Sequence, residues 1–582
     1  MPRRRPESRV RCADCFSPEK RIDCRVLLLA AGHDDPGLET WSGALLRGGI
    51  PFDTHVTLHG HRPITEAMLC DGEHARYQAV IVATGGLPCQ AGSRFVSSLS
   101  AAEWAALAEF ELRFAIRRIT GFAYPSPQYG LCAPTGAGRA GGLTGELTAA
   151  GRSVFGELRG EVSVDPCAYG YRAKPLGSDF QTLVAGPDGS ALVGIFTHAQ
   201  DGRENMVSTI SAGAHMIHVQ LLSHGMLDWV TRGVYLGHRR RYLSVQVDDV
   251  LLASDRWDRD SCTTVPAKLR MGPDDVAAAA DWSRRRGLRM SMAFNAGGAR
   301  DDDELTASLL HHREAFDWIN HTFGHITLDG VDLPTLISEI RRNVEFARVH
   351  GLSIDHTELV TGEHSGLCNP QMPRALARTG IRWIADDNSF RSTQYRLGDA
   401  LTVPRHPTNI YFNVATRADA LHEHDHLSAS STEARGVTLL TPRTTWEAFI
   451  GREAGTMLLH MLDNDPRPHF VHQSNLCGER IAYELLDEVL ARFRECLTVE
   501  LIQPSLAQAG EEFARQAAWR EALNARTVSA HLHGGRLHVR SEDALRVPLT
   551  GTQEVGSEYG GCRSGWSQPI SSEHGDVAFT LA

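Results

Sequence analysis

Lysine is almost missing from this chain. Of 59 basic residues in 582, it supplies only Lys20, Lys174 and Lys268, and arginine supplies the rest. Against 70 acidic residues the formal net charge is −11 and the sequence pI about 6.2. No basic face is implied, which argues against nucleic acid as a main partner. Long apolar runs are missing too, so no transmembrane segment is expected. The start Pro2-Arg-Arg-Arg5 resembles the front of a signal peptide. The next apolar stretch, Cys24-Arg-Val-Leu-Leu-Leu-Ala-Ala31, is too short to complete one, so no export signal is expected. The Cys-x-x-Cys at Cys12 and Cys15 has no second pair at zinc-site spacing. Cys89 comes after a glycine turn but lacks the tight elbow of an amidotransferase nucleophile, and reads as structural.

What remains is an ordinary globular composition, 42% hydrophobic and 22% charged, long enough for several domains. Residues 1–23 read as a disordered tail. Residues 24–130 alternate strand and helix, as in a flavodoxin- or amidotransferase-like α/β domain with a parallel sheet. Strands are expected at Val26–Ala30 and 79–83, and a helix at Ala101–Phe114. Residues 131–235 turn glycine-rich with short strands, at 153–157 and 191–196 among others, and close on a strongly apolar helix. This β-rich module carries Tyr169, Tyr171 and Phe180, aromatics that suit either sugar stacking or core packing. Residues 236–510 alternate again, with helices at Pro273–Arg286, 334–350, 373–379, Trp446–Leu462 and 479–496, several opening on proline. Strands are expected at 288–294, 316–320, 381–385, 409–414 and His469–His472. This predicts a deformed (β/α) barrel. Residues 511–582 read as a small β module built on a hairpin with Gly534-Gly535 at its turn.

The barrel stretch opens on Tyr242-Leu-Ser-Val-Gln-Val-Asp-Asp-Val250, a strand that ends on two carboxylates, Asp248 and Asp249. Three His-x-x-x-His pairs occur, at 55/59, 321/325 and 422/426, so that spacing is weak evidence by itself. Position separates His321 and His325 from the others, because they come directly after a strand-like run, where barrel enzymes put their chemistry. The histidine-rich Leu421–His426 reads as a solvated loop, and His55, His59 and His61 as a surface cluster. Two carboxylates neighbouring on one strand point apart, which disfavours a two-carboxylate glycosidase.

Val247-Asp248-Asp249 together with His321-Thr-Phe-Gly-His325 resembles the first two motifs of NodB-type polysaccharide deacetylases. Gly362-Glu-His-Ser-Gly-Leu-Cys-Asn-Pro370, Pro407–Asn413 and Val471–Leu476 are similar to the branch represented by the fungal galactosaminogalactan deacetylase, carbohydrate esterase family 18. The resemblance implies metal-dependent hydrolysis of N-acetyl groups on an N-acetylhexosamine polymer containing GalNAc or GlcNAc. It implies a divalent metal, zinc by preference, held by Asp249, His321 and His325. Asp248 would be the general base towards a metal-activated water, and His472 the general acid for the departing amine. Asp386 or Asp387 would orient catalytic groups. Glu363 and His364 are further candidates, and His469 reads as structural. The usual arginine of the third motif is missing from 365–370, which leaves the base's partner open. The family also implies an extracellular or cell-surface setting. The competing reading is an inactive carbohydrate-binding or scaffold protein.

Overall fold

The computed structural model describes residues 19–58, 62–434, 444–571 and 575–582. Cys12, Cys15, His59 and His61 lie outside the described residues. The centre is a ring of parallel strands, here β1 (Val245–Val250), β2 (Ser291–Phe294), β3 (Asp317–Asn320), β4 (Glu358–Leu359), β5 (Trp383–Asp387), β6 (Ala400–Pro407) and β7 (His469–His472). Neighbours keep chain order, and β7 returns to pair with β1. Between β3 and β4 the ring is drawn together by Val360 N–H donating to the Asn320 carbonyl at 2.9 Å and by a Trp318–Ile354 bridge. The result is a near-closed (β/α) barrel. Val245, Val247 and Val250 are fully buried, and Gln246 and Asp248 between them are buried too, as expected of a strand covered on both faces.

Helices cover the outside, each with legible ends. Leu333–His350 begins where the Asp332 side chain accepts Thr335 N–H, and stops at Gly351 with φ +66°. Its buried Leu336, Ile337, Ile340 and Ala347 recur at helical spacing. Pro273–Arg286 and Trp446–Leu462 fall where the sequence puts them.

Four local expectations change. The expected β module at 511–582 opens inside a helix, Leu506–Ala525, which the Ser505 side chain caps by accepting Gln508 N–H. The run at 153–157 enters a helix, Ala149–Val154, because Thr148 caps the Gly151 N–H. The strand expected at 409–414 instead occupies Ala400–Pro407, and the chain beyond it turns, pinned by Asn475 Nδ2 donating to the Tyr411 and Val414 carbonyls. Leu421–His426 is part of the helix Arg417–Ala434, with His422 Nδ1 accepting from the Trp257 indole at 3.1 Å.

The sheet pattern also crosses the expected domain boundaries. Parallel strands Phe52–Val56, Val26–Ala30, Ala79–Val82 and Arg117–Thr120 continue into Glu204–Ser208 and then into the antiparallel strands of residues 144–197, giving one nine-stranded sheet. The boundary expected at 130/131 therefore falls inside a single sheet, whose continuity covers what would be an open edge at Arg117–Thr120. The expected tail 1–23 contains a strand, Arg21–Asp23, with Ile22 buried between Val528–His533 and His74–Ala75. The C-terminal β module thus shares a six-stranded sheet with N-terminal segments. Arg239, Arg240 and Arg241 are buried where these parts meet. Arg241 pairs with Glu157 at 2.9 Å, and Arg240 donates to the Ser564 hydroxyl at 2.7 Å.

Candidate active site

Asp249, His321 and His325 meet at the carboxyl ends of the barrel strands. His321 Nε2 lies 3.2 Å and His325 Nε2 2.9 Å from the same oxygen, Asp249 Oδ1. Among the described residues they form a set of ligand atoms all within 4.8 Å of one another.

A bulge makes this possible. β1 pairs Val247 with Met292 and then Val250 with Phe294, so one strand advances three residues where the other advances two. Asp249 takes the extra position with φ +65°. Two carboxylates that would point apart on a regular strand can therefore both serve one site. Leu251, Thr322, His325, Glu363 and His364 also hold positive φ. Each such residue costs about 1–3 kcal/mol, strain that persists only where the surroundings over-determine it.

The surroundings do so here. His321 Nδ1–H donates to the Val360 carbonyl at 3.1 Å, which leaves Nε2 as the bare nitrogen facing Asp249. Asn295 Nδ2 donates to the carbonyls of His321 and Thr322. Asn343 joins Ala296, Phe294 and Asn320 in one buried amide network. Gly362 lies against the His325 ring so closely that a Cβ there would stand 2.8 Å from three ring atoms. Burial lowers the His325 pKa, but its bond to Asp249 outweighs this and the net shift is upward. Asp249 faces the same opposition of burial and imidazoles, and its carboxyl is held well below the usual range.

A donor set of one carboxylate oxygen and two imidazole nitrogens, with the His321 tautomer fixed by Val360, fits a divalent cation such as zinc once the His325 ring gives up the proton it shares with Asp249.

Asp248 sits beside this set, buried. Arg405 grips it through two bonds, Nη1 to Oδ1 and Nη2 to Oδ2, both 2.8 Å. Burial alone would raise the Asp248 pKa, but Arg405, His321 and His472 outweigh it and hold the group ionised. Arg405 is itself fixed by Gln246 Oε1 at 3.0 Å, by His364 Nε2 accepting at 2.8 Å, and by the Phe470 ring under its guanidinium at 4.3 Å. Burial and Arg405 push His364 down to about 3, so it accepts as a neutral ring. His472 lies in register with Asp248 across the β1–β7 ladder. Burial lowers its pKa despite both aspartates, and its Nδ1 is buried without a hydrogen-bond partner. Phe412, 43% exposed, stands edge-on 6.0 Å away.

The structure thus brings together Asp248, Asp249, His321, His325 and His472. Asp386 is bonded elsewhere: it accepts from its neighbour's Asp387 N–H and from Tyr395. The partner of Asp248 is Arg405, which sequence reasoning missed. The signal was there, as an arginine inside the strand Ala400–Pro407 needs a buried anion to face.

Two family models match the chain: the Agd3 deacetylase domain over residues 293–493 and Agd3 CBM87 over residues 22–152. A crystal structure of Agd3, described as a novel carbohydrate deacetylase, superposes over 97% of this chain and 99% of its own at a TM-score of 0.79, with 18% identity. Bifunctional heparan sulfate N-deacetylase/N-sulfotransferase 2 from Mus musculus and from Homo sapiens are each 23% identical over 309 residues. That match takes in 48% of this chain and 31% of theirs, so the chain spans about a third of the length of these curated relatives.

Proposed function

Because the chain belongs to the Agd3 branch of NodB-type polysaccharide deacetylases, we propose that it hydrolyses the N-acetyl groups of an N-acetylhexosamine polymer, of galactosamine or glucosamine type, with the help of a divalent metal. One observation carries the metal-dependent reading: a carboxylate oxygen of Asp249 and one ring nitrogen each of His321 and His325 lie within 4.8 Å of one another. The ionised Asp248 and the buried imidazole of His472, in register with it on the next strand, stand beside them.

A divalent ion held by those three ligands would supply Lewis acidity, making water a stronger acid and an acetyl carbonyl a better electrophile. The chain's own residues handle the protons. Asp248 receives a proton from the attacking water as the new carbon–oxygen bond forms, and Arg405 fixes the direction in which its oxygens face. The carbon–nitrogen bond breaks only if the amine nitrogen is protonated. His472, one strand away and in register, is placed to bring that proton as an imidazolium, having first taken one up from solvent; it returns to the neutral ring as the bond breaks, and Asp248 gives its proton back to solvent. The products are acetate and a free amine on the sugar. A polymer substrate puts this work at the cell surface or beyond it.

Acetate release from partly acetylated galactosamine and glucosamine oligomers tests the proposal. Chelation should abolish release and zinc restore it. Purified protein should hold about one divalent ion per chain, lost in Asp249→Ala and His321→Ala. Cleavage of O-acetyl esters alone would overturn the amide assignment. A folded wild type with no metal affinity would favour an inactive binding protein.

A further inference from the structure

Outside the barrel the surface carries an aromatic cluster, at Phe122, Tyr124, Tyr169 and Tyr171, that core packing does not absorb. Tyr171 is its hub. One face stacks on Phe122, with centroids 5.5 Å apart and planes 13° from parallel. Tyr124 meets it edge-on at 5.2 Å and Tyr169 at 5.5 Å. Tyr124 is 60% and Tyr169 41% exposed. Phe180, by contrast, is buried and packs against Gly194.

The cluster stands on rigid backbone. Tyr169–Arg172 pairs antiparallel with Gly136–Arg139, and Tyr171 N–H donates to the Thr209 carbonyl at 3.0 Å. Tyr169 N–H donates to the Ser211 hydroxyl at 2.8 Å. Residues 121–124 and 209–211 both extend from the carboxyl ends of the neighbouring parallel strands Arg117–Thr120 and Glu204–Ser208, the side on which open α/β sheets take their ligands. In the short ladder Ala137 opposes Tyr171 and Arg139 opposes Tyr169. Period-two alternation puts all four on one face. The partner strand is Gly-Ala-Gly-Arg, and the side chains it puts on the ring face are Ala137 and Arg139, both exposed. Beside the rings that face therefore carries only a methyl group, with the arginine at one end.

We propose that Tyr124, Tyr169 and Tyr171 form a stacking platform for the pyranose rings of the same acetylated polymer, with Arg139 as a hydrogen-bond donor to its hydroxyl or acetamide oxygens. The choice of occupant rests on the function proposed above. A sugar ring has an apolar face of C–H groups that lies on an aromatic ring, while its edge oxygens need donors such as phenol and guanidinium. A protein partner would call for a deeper apolar patch than two half-exposed tyrosines beside a single alanine. The platform straddles the end of the CBM87 match: Tyr124 lies within residues 22–152, and Tyr169 and Tyr171 lie beyond it.

Gel retardation of the full chain in partly N-acetylated glucosamine and galactosamine polymers reads binding. Acetate release from a short acetylated oligomer reads the active site. The double variant Tyr124→Ala/Tyr169→Ala should lose polymer affinity about tenfold while oligomer turnover stays within twofold and the melting temperature is unchanged. Tyr124→Phe/Tyr169→Phe should retain most of the affinity, since ring faces carry it. Retardation of the alanine variant equal to wild type overturns the platform. So does a wild type that turns over the oligomer yet is retarded by neither polymer. Tyrosine-dependent retardation without any acetate release keeps the platform and overturns the deacetylase reading instead.

Discussion

At the scale of single residues, the site depends on groups that touch no ligand position. Gly362 is the sharpest case, because its Cα lies where any side chain would strike the His325 ring. Gly362→Ala should leave every ligand in the sequence yet weaken zinc binding about 10–100-fold, readable by competition with a chromophoric chelator. Asp248→Asn should lower turnover about 10²–10⁴-fold while the ion stays bound, as measured by metal analysis and acetate release. Arg405→Met leaves Asp248 buried without its cation, and should cost about 3–5 kcal/mol in denaturant unfolding. The five converging residues were legible in the sequence: Asp248, Asp249, His321 and His325 by their place at or after hydrophobic strands together with motifs resembling the NodB type, and His472 by that resemblance. Arg405 and Gly362 were not, because their roles come from contacts made far along the chain. Arg405 reaches Asp248 across 157 residues. Gly362 acts through a missing side chain, which no spacing rule detects.

At the scale of elements, caps and periodicity gave most helices within a few residues, whereas the bulge in β1 had no sequence signature. Nothing in Val-Gln-Val-Asp-Asp-Val says that Asp249 will take a left-handed backbone; the demand comes from His321 and His325 on the other side of the site. The end of β4 supplies a pH effect of its own. Burial raises the Glu358 carboxyl to about 7, although its Oε1 accepts Ala507 N–H at 2.7 Å at the start of the helix Leu506–Ala525. The unfolded carboxyl ionises near its ordinary value, so between there and about pH 7 the unfolded chain binds fewer protons than the folded one. Stability therefore falls as pH rises through that window. Glu358→Gln keeps the acceptor and removes the titration. Its melting temperature relative to wild type should be higher at pH 8 than at pH 5, and equal offsets at both would show that Glu358 is not buried as described.

At the scale of the whole molecule, the parts are joined rather than strung together. The composition changes near 130 and 510 are real features of the sequence, but strand pairing runs across them. Pairing between segments so distant leaves no local trace, and this is why the segments were legible and their joints were not. The buried Arg239–Arg241 run is the clearest joint. Arg241 faces Glu157, whose carboxyl is driven well down by His224 and Arg241 in spite of burial. Glu157→Gln should lower unfolding stability by about 3–5 kcal/mol without altering the metal content, seen by denaturant titration beside ion analysis.

The strand Arg21–Asp23 also sets a timetable for synthesis. Its partner Val528–His533 leaves the ribosome about 500 residues later, which at ordinary elongation rates of roughly 5–20 residues per second is about half a minute to two minutes. Throughout that interval Ile22 has no native neighbour on that side, and a segment made early is among the last to find its place.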